Sequence, residues 1–207
     1  MNRFLQRTFI LSTLGMLSLA STTRIVDAQS AQPVSLQLSG FGTSVAMPES
    51  TTGTSGFGVE PQLRLNHLAR SESLGTLSLG IGGQYTKHTA GAEEITITGG
   101  FVEPRWVPPF SFADGHLFPY LAARIALLRQ SNNFGTGTSG TAFGGGGGLA
   151  IAVNRQLNLD IGAAFVQQKF DNFAYYKSAT RAAGAAGALN SLGTYAVKAG
   201  LSYGFGK

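Results

Sequence analysis

From Thr194 to Phe205 the chain alternates without a break. Tyr195, Val197, Ala199, Leu201, Tyr203 and Phe205 hold the odd positions, and Thr194, Ala196, Lys198, Gly200, Ser202 and Gly204 the even ones. A strand points successive side chains to opposite faces. One face of this segment is therefore apolar with aromatic ends, and the other is small and polar with one lysine. A period of two this regular leaves little choice but a sheet with one greasy side.

The same period recurs along the chain and predicts eight strands, at about 34–47, 56–68, 74–87, 94–107, 116–129, 141–153, 157–170 and 194–204. Val34, Leu36 and Leu38 oppose Ser35, Gln37 and Ser39; Val59, Leu63 and Leu65 oppose Glu60, Gln62, Arg64 and Asn66. Leu77, Leu79, Ile81 and Tyr85 share a face of the third segment, and Leu121, Ala123, Ile125 and Leu127 oppose Arg124 in the fifth. In the seventh, Leu157, Leu159, Ile161, Ala163 and Phe165 oppose Asp160 and Gln168. The fourth slips at Gly99-Gly100, which reads as a bulge. Turns fall at 48–55, 69–73, 108–115 and 154–156, with polar loops at 88–93 and 130–140. The longest connection, 171–191, holds an Ala-rich stretch, 178–189, suited to a helical turn.

The N-terminus reads as a secretory leader. Arg3 and Arg7 precede a short apolar core at 9–20, and Val26-Asp27-Ala28 offers a small-residue cleavage site. Residues 1–28 are the expected signal peptide and 29–207 the mature barrel domain. Only 12 % of residues are charged, about half the share usual in soluble domains. No later apolar run approaches the ~20 residues of a membrane helix. An exported chain of many alternating segments and few charges enters a bilayer as a closed barrel, because every backbone amide must find a partner.

Other classes recede. There is no cysteine, hence no disulfide framework or thiolate chemistry. Without Arg3, Arg7, Arg24 and Asp27 the 15 basic and 10 acidic residues become 12 and 9, a net of +3. These cations are scattered and lack the aromatic interleaving of a nucleic-acid surface, so no nucleic-acid partner is expected. Gly144 to Gly148 has no following Lys-Ser/Thr, and Gly80-Ile81-Gly82-Gly83 fails the dinucleotide pattern. Both fit curvature or close contact in a small barrel. No cofactor is implied, and no cluster of His, Asp or Glu has metal-ligand spacing.

Connections one, three, five and seven read as longer or more polar, and two and six as tight. Outer-membrane barrels have short periplasmic turns and longer external loops, so both termini belong on the periplasmic side. At this point the chain resembles the small eight-stranded outer-membrane barrels, the OmpA-like/OmpX-like group. The residues that carry the likeness are Pro119-Tyr120-Leu121-Ala122-Ala123, Gly144 to Leu149, and Asn154-Arg155-Gln156-Leu157-Asn158-Leu159-Asp160-Ile161-Gly162. The resemblance implies an all-β, antiparallel up-and-down transmembrane barrel in the bacterial outer membrane. It implies as partners outer-membrane lipid and lipopolysaccharide, and the insertion machinery that reads a terminal aromatic. Here Gly206 and Lys207 follow Phe205.

Eight strands enclose a lumen just wide enough for side chains. The expected inward set is Glu60, Arg64, Arg124, Asp160 and Lys198, with Gln62, Asn66 and Gln168; the faces of Glu103 and Arg105 depend on the slip in strand four. Opposite charges in that confined space should pair, giving a plugged rather than open barrel. Trp106, Phe110, Tyr203 and Phe205 are expected at the periplasmic rim, and Phe41, Tyr85, Phe143 and Phe170 at the external one. Phe173, Tyr175, Tyr176 and Lys177 form a candidate external contact surface beside Lys169 and Arg181.

Three functional classes follow. One is a non-enzymatic barrel serving envelope integrity or surface interaction. Another is a lipid A-modifying enzyme, for which His88, beside Thr89, Glu93 and Glu94, is the candidate base. The third is a soluble periplasmic barrel with its apolar face turned inward on a ligand.

Overall fold

The computed structural model describes residues 32–46, 54–90, 93–132, 137–170 and 191–206. The expected signal peptide, the Ala-rich stretch and the aromatic cluster Phe173, Tyr175, Tyr176 and Lys177 lie outside them. The strands are β1 (Val34–Ala46), β2 (Thr54–Ser71), β3 (Gly75–Ala90), β4 (Glu93–Val107), β5 (Leu117–Asn132), β6 (Gly137–Ala152), β7 (Leu157–Phe170) and β8 (Ser191–Phe205). Each pairs antiparallel with its sequence neighbour, and β8 pairs with β1, so the sheet closes into an eight-stranded up-and-down barrel. Closure removes every free edge.

The bulge expected at Gly99-Gly100 is absent. Gly83 pairs with Gly100 and Gln84 with Gly99, in the same register as the rest of the β3–β4 ladder. The slip had another cause: Ile95, Ile97 and Phe101 are apolar yet face inward, so an apolar-out reading changes phase where the backbone does not. The register shift lies instead in β2, between Leu65 and Ala69. There the expected turn at 69–73 gives way to a strand that continues to Ser71.

The outer surface carries an apolar belt. Its outward residues run over 77–85 in β3, 117–127 in β5, 143–151 in β6, 157–165 in β7 and 195–205 in β8. These stretches of nine to eleven residues match what a tilted strand needs to cross hydrocarbon. Leu127 is 70 % exposed and Ile125 68 %. The greasy face is outside, which overturns the soluble, apolar-lumen alternative. Tyr85, Phe143, Phe165 and Tyr195 mark one edge of the belt, and Trp106, Phe110, Tyr203 and Phe205 mark the other. Phe41 and Phe170 were expected in the first of these girdles. Both face inward instead, since their positions share the parity of Ser39 and Gln168, and Phe170 is buried.

Past the Tyr85–Phe143 edge the strands continue as polar extensions. The loops expected at 88–93 and 130–140 shrink to 91–92 and 133–136, because β3 and β4, and β5 and β6, keep pairing. Their outward residues there include Lys87, Glu94, Thr96, Thr98, Arg129, Ser139, Thr141 and Lys169. Lys87 and Glu94 pair at 2.8 Å. The longest connection at this end is 171–190, and the polar extensions together with it assign this end to the outside. At the opposite end the connections are compact. The Asn154 side chain accepts from the amides of Gln156 and Leu157 at 2.9 and 2.8 Å, closing the expected tight turn. Trp106 Nε1 donates to the Leu74 carbonyl at 2.6 Å, tying the 108–116 connection's root to the β2–β3 turn.

Candidate functional site

The lumen collects almost every buried charge of the described residues. The unbroken register of β4 gives Glu103 and Arg105 the inward parity of Phe101, which resolves the face left open by sequence. Arg64, Asp160 and Lys198 come inward from β2, β7 and β8, and Glu60 from β2, all buried; Arg124 of β5 joins them, slightly more open. All five lumen residues expected from sequence therefore meet in one place.

Glu103 is the hub. Its Oε1 accepts from Arg64 Nη2 at 2.7 Å and from Arg105 Nη2 at 3.4 Å. Its Oε2 accepts from Arg124 Nη2 at 2.5 Å and Lys198 Nζ at 3.2 Å. Arg124 also grips Glu60 with both terminal nitrogens, Nη2 at 3.0 Å and Nη1 more closely. Arg105 Nη1 donates to Asp160 Oδ2 at 2.5 Å, and the Tyr120 hydroxyl donates to Asp160 Oδ1 at 2.8 Å. Arg64 reaches Ser78 Oγ and Gln62 Oε1, each at 3.2 Å. Two guanidiniums also lie over aromatic faces, Arg105 over Tyr120 at 3.9 Å and Arg124 over Phe101 at 4.0 Å. Charges from β2, β4, β5, β7 and β8 thus meet across the barrel at mid-depth.

Two further layers flank the charged one. Toward the periplasmic end, Val107, Phe118, Tyr120 and Ala150 form a small apolar cluster. Sequence reasoning passed over it because β5 is apolar on both faces; Phe118 and Tyr120, two residues apart, were the available signal. Toward the external end lies a cavity of about 40 Å³ lined by Phe41, Thr43, His88, Gln168, Thr194 and Lys198 among others. Ring room for Tyr120 comes from glycine: a Cβ on Gly162 would stand 2.5 Å from the Tyr120 hydroxyl oxygen.

Thr89 and Glu94 of the candidate catalytic group do not join His88. His88 lies on β3, not in a loop, and its ring faces the lumen with Nδ1 unpartnered among the described residues. Thr89 and Glu94 face outward, and Glu94 is engaged by Lys87. The barrel wall separates His88 from Thr89 and Glu94, and the Glu93 side chain lies outside the described residues.

A closed eight-stranded barrel, with an outer apolar belt that spans nine to eleven residues of strand and with charge within, is a small outer-membrane β-barrel. No protein-family model and no curated protein matches the chain. Solved structures do. Neisserial surface protein A superposes with a TM-score of 0.60 at 15 % identity, over 86 % of this chain and 100 % of that one. The attachment invasion locus protein of Yersinia pestis matches with a TM-score of 0.39 at 16 % identity, over 83 % of this chain and 99 % of that one. A major outer membrane protein from Thermus thermophilus matches at 0.43 and 11 % identity, over 82 % and 99 %. At such identities the likeness is one of fold.

Proposed function

We propose that this chain is a non-enzymatic outer-membrane scaffold with a sealed lumen. In this reading it acts through what it presents outside the bilayer, in envelope integrity or surface interaction. The observation that carries the reading is the mid-depth network, in which one carboxylate holds cations from four strands in a lumen with little space left. The polar strand extensions supply the working surface. Arg129 and Lys169, outward and exposed just past the belt, suit the phosphates of outer-membrane lipid and lipopolysaccharide. The barrel insertion machinery is the remaining proposed partner. Separation of His88 from Thr89 and Glu94 speaks against lipid A chemistry.

Planar-bilayer recording of the purified barrel tests the seal. The expected trace shows no large, steady conductance; an open trace of that kind would refute the reading. On isolated outer-membrane fractions, the folded band should shift in mobility on boiling. A band without that shift, in the soluble periplasmic fraction, would refute the membrane placement.

A further inference from the structure

The glycines that face outward fall into two groups. A Cβ on Gly137, Gly145, Gly147 or Gly193 would stand 2.9 to 3.2 Å from its nearest neighbour, so the wall itself requires glycine there. A Cβ on Gly83 or Gly100 would meet nothing closer than 3.6 Å, and one on Gly40 or Gly42 nothing within 4 Å. Packing within the barrel does not explain these four. Glycine weakens a strand and gives a lipid-facing wall almost no apolar surface; inside a strand it often marks the close approach of a ligand.

Gly83 and Gly100 have the more telling surroundings. They pair across β3 and β4, and Leu127 of β5 completes their row. The row toward the membrane centre is Ile81, Val102 and Ile125; the row toward the external end, at the edge of the apolar belt, is Tyr85, Thr98 and Arg129. The three rows make a notch floored by glycine. It is apolar below, walled on one side by Leu127, and topped by two hydroxyls and a guanidinium. Arg129 is exposed and lies beside Gly137, which has no side chain to cover it. Glu94, the one outward carboxylate among the described residues of β3 to β5, is already held by Lys87 at 2.8 Å. A guanidinium fork suits a phosphate, and the hydroxyl row at the bilayer edge suits a sugar. We infer that the β3–β5 wall seats one phosphorylated glycolipid of the outer leaflet, with its phosphate on Arg129, its sugar over Thr98 and Tyr85, and one acyl chain across Gly83 and Gly100. This rests on the reading above, in which the barrel acts through what it presents outside the bilayer, and fixes where its lipid partner sits.

Native mass spectrometry of the purified barrel in detergent, titrated with lipid A, tests the seat. One saturable lipid A per barrel is expected. Dephosphorylated lipid A, and separately Arg129→Gln, should weaken binding about tenfold, the worth of a charge-assisted hydrogen bond. Gly83→Val combined with Gly100→Val fills the notch with residues that suit a strand. That variant should keep the mobility shift on boiling and bind lipid A about tenfold more weakly. Gly40→Val combined with Gly42→Val is the control, because the row above those glycines is Tyr195, Ser44 and Ser55, without a cation; its affinity should be unchanged. An equal loss in that control, unchanged affinity in the Gly83 and Gly100 variant, or equal binding of phosphatidylglycerol would overturn the seat. So would displacement of lipid A by inorganic phosphate, which would assign Arg129 to a free anion. A barrel without the boiling shift fails the membrane reading itself, whereas one that shifts but takes up no lipid A fails this inference alone.

Discussion

β2 and β6 stand four places apart in a ring of eight, on opposite sides of the lumen. Inward from β2 come Glu60, Gln62, Arg64 and Asn66, all long or polar and all buried. Inward from β6 come Gly140, Ala142, Gly144, Gly146, Gly148 and Ala150, almost no side chain at all. An eight-stranded barrel encloses only enough space for its own side chains. Long arms on one wall therefore require a bare wall facing them, the across-the-core alternation of large and small that any packed interior needs. The five-glycine run is this bare wall read along the chain. Its even members clear the lumen, and Gly145 and Gly147 belong to the outer face. A glycine run that resembles a loop motif in isolation becomes intelligible only against the strand opposite.

If the filled wall is held by its ion pairs, the most damaging change is at their common acceptor. Glu103→Ala should leave Arg64, Arg105, Arg124 and Lys198 with Glu60 and Asp160 as their carboxylate partners among the described residues, and cost about 3–5 kcal/mol, the usual penalty for stranding buried charge. Denaturant unfolding of the barrel in detergent micelles reads this directly. A cost below about 1 kcal/mol would mean that the lumen rehydrates freely, and the filled-wall picture would fail.

The bare wall should fail in the opposite way, by overfilling. It continues onto β7 at Gly162, which pairs with Gly148. Gly162→Ala places a methyl 2.5 Å from the Tyr120 hydroxyl oxygen and should cost about 1–3 kcal/mol. In a Tyr120→Phe background the clashing atom is gone, so the same substitution should cost measurably less. A double-mutant cycle with no coupling would show that Gly162 serves the backbone rather than the ring.

The two walls also explain which parts of the molecule were legible beforehand. Where apolar residues face lipid and polar ones face the lumen, as in β7 and β8, alternation alone placed strand and faces; the expected 157–170 coincides with β7. It faltered where the lumen itself turns apolar. Ile95, Ile97 and Phe101 imitate a bulge, and Phe41 and Phe170 imitate a girdle, because hydrophobicity cannot tell a lipid-facing residue from one packed inside. Strand ends were missed for a related reason. Beyond the bilayer the outer face of β3 to β6 becomes Lys, Thr, Ser and Glu, a composition that reads as loop although pairing continues. Glu103, the most connected lumen group, was left open on one point of register. The pairings themselves, such as Lys198 with a carboxylate 95 positions earlier, have no local signal at all.

The smallest expected effect is the most discriminating. Arg64 is the longest arm of the filled wall, yet Glu103 retains three other cations without it. Its Nε is also a buried donor with no partner among the described residues. Arg64→Met keeps most of the side-chain length and removes that orphan. The losses are its bonds to Ser78, Gln62 and Glu103. Replacement of a buried charge by an apolar group of similar size is often close to neutral, so the net change should fall within about 1 kcal/mol, far from that of Glu103→Ala. The two variants break the same 2.7 Å contact from opposite ends. Equal costs would mean that the pair matters for its geometry; a cost confined to Glu103→Ala would mean that the filled wall is held by one acceptor shared among several cations.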